Sequence, residues 1–389
     1  MIASNRISRF PAYLFAKINS QKLEARRKGI DVIDLGMGNP DNPTPVPVVQ
    51  ALIKAVQDTK THRYSVARGI SNFRREACRF YEKKFNVSLD PDKEVVSLIG
   101  TKEGLAHLMF AVLNEGDTAV VPNPTYPIHM YSVIMAGGNL INVPLFPFDD
   151  FLKRMSETIQ KTCPKPKILI LNFPNNPTTL SVDIGFFEEV TALAKKHNLL
   201  IIHDMAYADI VFDNYAAPSI LQVKGAKDMA IEFYSFSKSF NMPGWRVGVA
   251  VGNAEIVQAL TKIKSYLDYG IFTPIQIAGI KALQCPDEWI KQNAGNYSKR
   301  ADLMIKEMNK MGWPVEKPRG TMYLWPEIPE KFKKMGSMDF SMMLLEKANV
   351  VVSPGVGFGE YGEGFIRIAL VENENRIRQA LKNIKKLMT

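Results

Sequence analysis

Residues 231–251 read IEFYSFSKSFNMPGWRVGVAV, in which two short apolar runs, 231–235 and 247–251, enclose a polar segment. Similar runs occur earlier in the chain, at 94–99, 118–121, 167–171 and 199–203. All are short, rich in β-branched residues and almost continuously apolar, which is typical of strands buried on both faces. Amphipathic stretches at 103–113 and 184–196 have the spacing of helices. The pattern predicts an α/β layer built around a mostly parallel sheet flanked by helices.

The pattern changes after residue 285. Longer helical stretches, 286–311 and 339–347, alternate with a few short strands, which are expected at 321–325, 350–352 and 365–369. We expect three parts: an N-terminal arm with part of a small domain (1–40), a large domain (41–285) and a small α+β C-terminal domain (286–389). The arm is expected to pack on the small domain or on a partner subunit.

Composition excludes several classes of protein. The 389 residues are 46% hydrophobic and 23% charged, which is ordinary for a globular protein. No apolar run approaches the roughly 18–20 residues of a membrane span. The net charge of +10 is spread along the chain, so we read its basic runs as solvated helix faces and expect no nucleic-acid partner. Three distant cysteines and five scattered histidines predict no metal site and favour a cytoplasmic protein.

Polar residues follow three of the predicted strands. Asn176 comes shortly after the run at 167–171, Asp204 follows 199–203, and Lys238 follows 231–235. The intervals of 28 and 34 residues each correspond to about one βαβ unit. Because ligands of parallel α/β sheets bind beyond the carboxyl ends of the strands, these three side chains are expected to converge at one edge.

Each candidate has an ordinary explanation when it is taken alone. Asp204 could be a helix cap, Lys238 and Arg246 could be surface residues, and Tyr126 and Tyr207 could belong to the core. One cofactor, pyridoxal phosphate, would explain them together. It needs a lysine for a Schiff base, a carboxylate at its ring nitrogen, and cations or helix-start amides for its phosphate.

The segment 235–246, SFSKSFNMPGWR, resembles the S-x-S-K-x(5)-G-x-R signature of class I/II aminotransferases, which are fold-type I pyridoxal-phosphate enzymes. The resemblance extends from the segment around Gly38 to the segment around Arg367. Thr179 departs from it, since many relatives have glycine there, and we expect little chemical effect from this change.

The resemblance implies roles for the candidate residues. Lys238 would form the Schiff base and move the substrate proton, Asp204 would pair with the ring nitrogen, and Asn176 and Tyr207 would bond the ring oxygen. Tyr207 would also take part in catalysis, and Asn176 would also contact the substrate. Tyr126 would stack on the ring, and the residues around the phosphate would be Thr101, Lys102, Ser235, Ser237 and Arg246. Arg367 would hold the substrate α-carboxylate, with Gly38 and Tyr13 lining the pocket. Tyr64 would reach the phosphate of the neighbouring subunit, which implies a homodimer.

The resemblance implies ping-pong transamination, and several stretches are most similar to bacterial alanine (glutamate–pyruvate) aminotransferases. These stretches are 100–109, 121–129, 264–270 and 376–380. We therefore expect L-alanine and 2-oxoglutarate as substrates. LL-diaminopimelate, aspartate and aromatic amino acids stay open. So do a lyase on the same fold and a non-catalytic binding module. A G-x-G-x-x-G match at 357–362 precedes another strand instead of a helix, so we read it as a flexible loop near Arg367 and not as a dinucleotide site.

Overall fold

The computed structural model describes residues 4–10 and 14–388. The helices of this part are α1 (Asn5–Ser8), α2 (Leu14–Arg27), α3 (Val46–Gln57), α4 (Ser71–Phe85), α5 (Thr101–Val112), α6 (Pro127–Met135), α7 (Phe151–Lys161), α8 (Ile184–His197), α9 (Phe236–Ser239), α10 (Ala254–Leu267), α11 (Thr273–Leu283), α12 (Asp287–Lys310), α13 (Gly336–Ala348) and α14 (Glu374–Met388). The strands are β1 (Ile33–Asp34), β2 (Val95–Leu98), β3 (Thr118–Asn123), β4 (Asn139–Pro144), β5 (Ile168–Asn172), β6 (Leu200–Asp204), β7 (Ala230–Ser235), β8 (Gly248–Gly252), β9 (Tyr323–Leu324), β10 (Val350–Val351), β11 (Ser353–Pro354) and β12 (Ile366–Ala369).

A seven-stranded sheet with the order β2-β8-β7-β6-β5-β3-β4 forms the large layer. Strands β4, β3, β5, β6 and β7 run parallel, and only β8 is antiparallel to its two neighbours, β7 and β2. All six strands expected in this region are present, which confirms the mostly parallel α/β fold. Edge strand β4 was not expected from the sequence, because NLINVP is half-exposed and lacks a continuous apolar run.

The sheet is covered by helices on both faces. One face packs a core that includes Phe73, Phe187 and Phe236. The other packs Leu105, Met109 and residues of α10 against the strands. At 25–30 cal/mol per Å², burial of these side chains is the main source of stability for the layer. The carboxyl ends of β5, β6 and β7 are brought side by side, with Asn172 opposite Asp204 in register.

A separate core joins the N-terminal segment to the C-terminal part of the chain. Strand β1 pairs in parallel with β10, and Ile33 and Leu35 are buried among residues of α12, α13 and α14. A three-stranded sheet, β11-β12-β9, completes this α+β unit. The domain limits near residues 40 and 285 stay a prediction, and the second core also includes Tyr207, Ile210 and Phe212.

Helix α2 of the arm packs on this second core. Ile18 and Val32 share a buried cluster with Met342, Leu345 and Val351. Further upstream, the Arg9 guanidinium donates to the Gly138 carbonyl at 2.9 Å, so the start of the arm also reaches the large layer. Among the residues described, none of the helices has the length and apolar character needed to span a membrane.

Candidate active site

A cavity of about 510 Å³ opens beyond the carboxyl ends of the parallel strands, where an α/β sheet binds its ligands. Twelve of the predicted site residues line it: Gly38, Thr101, Lys102, Tyr126, Asn176, Asp204, Tyr207, Ser235, Ser237, Lys238, Arg246 and Arg367. The segments that carry them come from both cores. The structure thus brings together residues that lie up to 329 positions apart in the sequence.

Lys238 lies in α9, directly after β7. Its ammonium donates to the carbonyl of Gly38, which comes from the N-terminal segment. Burial, and secondarily the positive charges of Arg367 and Arg246, lower the pKa of Lys238 to about 7 from its usual 10.5. An amine with this pKa is neutral in about half of the molecules near pH 7, and a neutral amine is the nucleophilic form.

The Asp204 carboxylate ends β6 and is buried. Its Oδ2 lies 3.0 Å from Nε2 of His129, and Thr125 Oγ1 lies 2.7 Å from the other ring nitrogen of His129. Its Oδ1 accepts the backbone N–H of Ala206. These contacts hold the carboxylate in one orientation at the edge of the cavity. His129 was not among the residues predicted for the site, although it stands three positions after Tyr126 in the segment 121–129.

Tyr207 belongs to a pair of buried hydroxyls. Its hydroxyl lies 2.7 Å from that of Tyr323, and the Asn176 side-chain amide is 3.5 Å away. Burial and the neighbouring Tyr323 raise the pKa of Tyr207 well above 10, so it stays protonated at neutral pH. Tyr323 was missed from the sequence. A Cβ on Gly38 would overlap the Tyr323 ring and hydroxyl, which explains a glycine at position 38.

The loop that carries Asn176 is fixed from the strand below it. The Asn172 amide donates to the Asp204 carbonyl at 2.7 Å, and its oxygen accepts the N–H of Asn176 at 2.9 Å. Thr179 ends this loop with φ 64°, in the left-handed region that glycine tolerates best. The sequence departure at Thr179 therefore lies at a strained turn and not among the residues that line the cavity.

Arg367, on β12, is buried beneath the cavity between two rings. Its guanidinium carbon is 4.2 Å from the Tyr323 ring centroid and 4.5 Å from that of Phe358. One terminal nitrogen donates to Asn176 at 2.7 Å and the other to the Gly36 carbonyl at 2.8 Å, while Nε has no partner among the described residues. A buried guanidinium without a carboxylate partner can bind an anionic ligand.

The segment around Phe358 forms two short 3-10 helices, Gly355–Phe358 and Glu360–Gly362, instead of the open loop expected there. Their glycines allow close backbone packing, because a Cβ at Gly355 or Gly362 would overlap the other segment. The next regular element is β12, and no helix opens from the turn. The glycines at 357–362 thus shape the wall beside Arg367.

The opposite end of the cavity is built to receive an anion. Helix α5 begins at Thr101, and its first amide groups point away from the helix, where a negative charge is favoured. The Arg246 guanidinium packs against Gly100 so closely that a Cβ there would overlap it. Ser235 caps α9 by accepting the N–H of Ser237. The Lys102 ammonium lies 5.9 Å from the Tyr126 ring centroid.

A cluster of ionisable side chains joins the first turns of α5 to α10. The Lys264 ammonium donates to Glu103 at 2.9 Å and to Asp268 at 2.8 Å, and His107 lies beside both carboxylates. Hydrogen bonds to these carboxylates raise the pKa of His107 to about 9. Glu103, His107 and Asp268 are close enough together to bind a metal ion. The Lys264 ammonium already pairs with both carboxylates of this group.

A second buried network stands behind Lys238. Asp209 accepts a hydrogen bond from the hydroxyl of Tyr234 and an ion pair from Lys84. Despite its burial, the positive charge of Lys84 and hydrogen bonds from Ser239 and Tyr234 lower the pKa of Asp209. The network ties the segment after β6 to the segment that carries Lys238. It was not predicted, because Asp209 looks like any other loop acid in the sequence.

One predicted site residue, Tyr64, lies outside the cavity. Tyr64 is 92% exposed and packs beside Tyr269 at a centroid distance of 5.5 Å, and it is not among the residues that line the cavity. Tyr13 falls outside the described residues. A larger groove of about 1190 Å³ lies elsewhere, and it contains none of the predicted site residues; several of its charged side chains pair with each other, as in Lys83–Asp287 and Arg79–Glu76. The smaller cavity is therefore the candidate active site.

Comparisons with known proteins agree with this geometry. A family model described as aminotransferase class I and II matches residues 30–384. The chain is 50% identical to the glutamate-pyruvate aminotransferase AlaC of Escherichia coli K12, covering 98% of this chain and 92% of the relative. It is 43% identical to an LL-diaminopimelate aminotransferase of Halothermothrix orenii, covering 98% and 97%. Substrate-bound BacF from Bacillus subtilis superposes with a TM-score of 0.93 at 35% identity, covering 100% and 98%.

Proposed function

The chain belongs to the class I and II aminotransferases, enzymes that use pyridoxal 5′-phosphate to exchange amino groups between amino acids and 2-oxo acids, and from that premise we propose that its substrates are L-alanine and 2-oxoglutarate. One observation carries the proposal for the chemistry: Lys238, with its pKa lowered to about 7, shares a cavity with the incompletely paired guanidinium of Arg367. The choice of alanine is supported by the 50% identity to a glutamate-pyruvate aminotransferase.

The residues of the cavity fit the cofactor. Its phosphate would lie at the amino end of α5, next to Gly100, where the absence of a side chain leaves room for the Arg246 guanidinium. The residues that would hold the phosphate are Thr101, Lys102, Ser235, Ser237 and Arg246. Asp204 would pair with the ring nitrogen, since its carboxylate is already fixed by His129. Asn176 and Tyr207 would bond the ring oxygen, and Tyr126 would stack on the ring. Bound there, the cofactor supplies an aldehyde that accepts an amino group and a ring that stabilises negative charge at the substrate α-carbon.

Arg367 would orient the substrate. Its two terminal nitrogens contact the Asn176 side chain and the Gly36 carbonyl, and none of its described contacts is with a carboxylate, so the guanidinium can bind an incoming α-carboxylate. The Tyr323 and Phe358 rings both pack against the guanidinium, so that it is in place before the substrate arrives.

Lys238 would then move the proton. The neutral Nζ of Lys238 would take the proton from the substrate α-carbon and hold it as an ammonium until it is given back. A pKa of about 7 suits this exchange, because both protonation states are populated near neutral pH. Tyr207, which keeps its proton, would donate a hydrogen bond throughout the exchange.

A half-reaction tests the proposal directly. The purified holoenzyme receives L-alanine without an acceptor, and its absorption spectrum is followed while pyruvate is assayed. We expect loss of the aldehyde band with one pyruvate formed per active site, and the same spectral change with L-glutamate. Loss of the band with ammonia release would instead indicate a lyase. A band that alanine leaves unchanged would refute the alanine assignment.

LL-diaminopimelate is the second candidate substrate. The 43% identity to an LL-diaminopimelate aminotransferase of Halothermothrix orenii favours it. If alanine fails in the half-reaction while LL-diaminopimelate converts the aldehyde band, this second assignment replaces the first.

We further propose that the enzyme works as a cytoplasmic homodimer. Large apolar side chains are exposed on one stretch of surface residues, with Tyr64 at 92%, Tyr266 at 81% and Tyr269 at 61% exposure. Exposed apolar surface of this kind usually marks an interface. The three cysteines are unpaired, which suits a reducing compartment. Light scattering coupled to gel filtration should give the mass of two 43.7 kDa chains, and a monomer would refute the dimer.

A further inference from the structure

The proposed function sets a requirement on the cavity beyond Arg367. The same pocket must accept alanine, whose side chain is a methyl group, and glutamate, whose side chain ends in a carboxylate. A cation held unpaired for glutamate would be left buried and unsatisfied whenever alanine is bound, which is costly. A suitable subsite therefore needs donors that remain satisfied in both complexes.

Of the described residues that line the cavity, four side chains are cationic: Lys102, Lys238, Arg246 and Arg367. Lys102 and Arg246 lie near Gly100, at the end of the cavity where helix α5 begins. Lys238 contacts Gly38, and Arg367 is held between two rings against Asn176. Each of these four already serves the cofactor or the α-carboxylate in the proposed function. Within this chain, the distal group of glutamate is therefore left to other side chains of the cavity.

The arm helix α2 supplies a further polar side chain to the cavity. Ile18 and Asn19 line the cavity, and the Asn19 amide makes no hydrogen bond within the described part of the chain. Ile18 is anchored in the cluster with Val351, so the position of this turn is fixed by packing. An unpaired amide can donate to a carboxylate and costs little when water replaces that carboxylate.

An ion pair stands one helical turn from Asn19. The Lys22 ammonium lies 2.7 Å from Oδ2 of Asp34, and both side chains are largely buried. Residues three apart on a helix share a face, so Lys22 and Asn19 lie on the same side of α2. Asp34 itself lines the cavity, and its Oδ1 accepts the N–H of Gly36 at 3.0 Å.

We propose that Asn19, backed by the Lys22–Asp34 pair, is the subsite that recognises the distal carboxylate of glutamate and 2-oxoglutarate. With glutamate bound, the amide donates to the carboxylate, and the nearby ammonium stabilises its charge. With alanine bound, the ammonium keeps its partner Asp34, so no unpaired charge is buried. This inference rests on the proposed function. Asn19, Lys22 and Asp34 would allow the enzyme to accept two substrates of different size.

The test measures each half-reaction separately in holoenzyme variants. Asn19→Asp places a negative charge at the subsite. We expect its single-turnover kcat/KM to fall about tenfold or more for glutamate and 2-oxoglutarate, because like charges repel. The values for alanine and pyruvate should stay within about twofold. Lys17→Ala, an exposed residue on the same helix, is the matched control and should change neither pair.

Asn19→Gln keeps the amide and should preserve discrimination better than Asn19→Ala, which separates a donor role from simple packing. Equal losses for all four substrates in Asn19→Asp would overturn the inference, as would unchanged values for the two dicarboxylates. Failure of the wild-type protein with alanine alone refutes the proposed function. The subsite then still stands or falls on the glutamate values of the variants.

Discussion

Replacing Lys238 by methionine is expected to stabilise the cofactor-free protein at neutral pH. In the folded chain the pKa of this lysine is about 7, whereas an unfolded lysine keeps about 10.5. A lysine with a lowered folded pKa destabilises the folded state below its unfolded pKa, because only the unfolded chain gains the proton. The cost grows as pH falls from about 10.5 to about 7 and is constant below that.

The size of the effect follows from the two pKa values. At 1.36 kcal/mol for each unit of pKa, keeping the amine neutral costs about 4 kcal/mol at pH 7 and about 2 kcal/mol at pH 9. Methionine removes this cost but loses the hydrogen bond to the Gly38 carbonyl, which is worth about 1 kcal/mol. The variant should therefore gain about 3 kcal/mol at pH 7 and about 1 kcal/mol at pH 9.

Urea unfolding of the two cofactor-free proteins, followed by circular dichroism at both pH values, measures the difference. Wild type and variant share every other titrating group, so the comparison isolates Lys238. An advantage that does not shrink between pH 7 and pH 9 would refute the lowered pKa. A variant less stable than wild type at pH 7 would show that the ammonium is well paired in the folded protein.

Three further changes test other parts of the site. His129→Ala removes the buried donor to the carboxylate at the ring-binding edge, and we expect cofactor binding to weaken about tenfold, measured by equilibrium titration of the apoprotein. Asp209→Asn should lower the free energy of unfolding in urea by about 3 kcal/mol, with a smaller loss when Lys84→Met is added. Because the folded pKa of Asp209 is lowered, this stabilisation exists above the unfolded carboxyl pKa of about 4 and should fade as pH falls through and below it. Tyr64→Ala and Lys238→Ala chains, each weakly active alone, should regain activity when refolded together, and no regain would contradict a shared site.

Local pattern was sufficient to predict the large sheet. The runs that became β3, β5, β6, β7 and β8 are almost continuously apolar because both faces of the sheet are covered. Strand β4 lies at the edge of the sheet and only one of its six residues is buried, so it carries no such signal. The two-residue strands of the small sheet are set by tertiary pairing and not by their own sequence.

The cavity was predictable where residues follow strands in a parallel sheet, as Asp204 and Lys238 do. Residues that reach it from other elements gave weaker signals. His129 acts through Asp204, and Tyr323 comes from the second core, more than a hundred residues from its partner Tyr207. Asn19 lies on helix α2, and the periodicity of that segment predicts a packed helix without indicating that Asn19 lines the cavity. Contacts of this kind depend on how the two cores meet, which sequence spacing does not encode.

Transfer of the amino group between two named substrates is the most direct test of the central claim. The holoenzyme is incubated with ¹⁵N-labelled L-alanine and unlabelled 2-oxoglutarate, and the products are resolved by mass spectrometry. The account predicts labelled glutamate in amounts equal to pyruvate, with no labelled ammonia, and loss of this transfer in Lys238→Ala. Label recovered as ammonia, or unlabelled glutamate beside remaining labelled alanine, would contradict it.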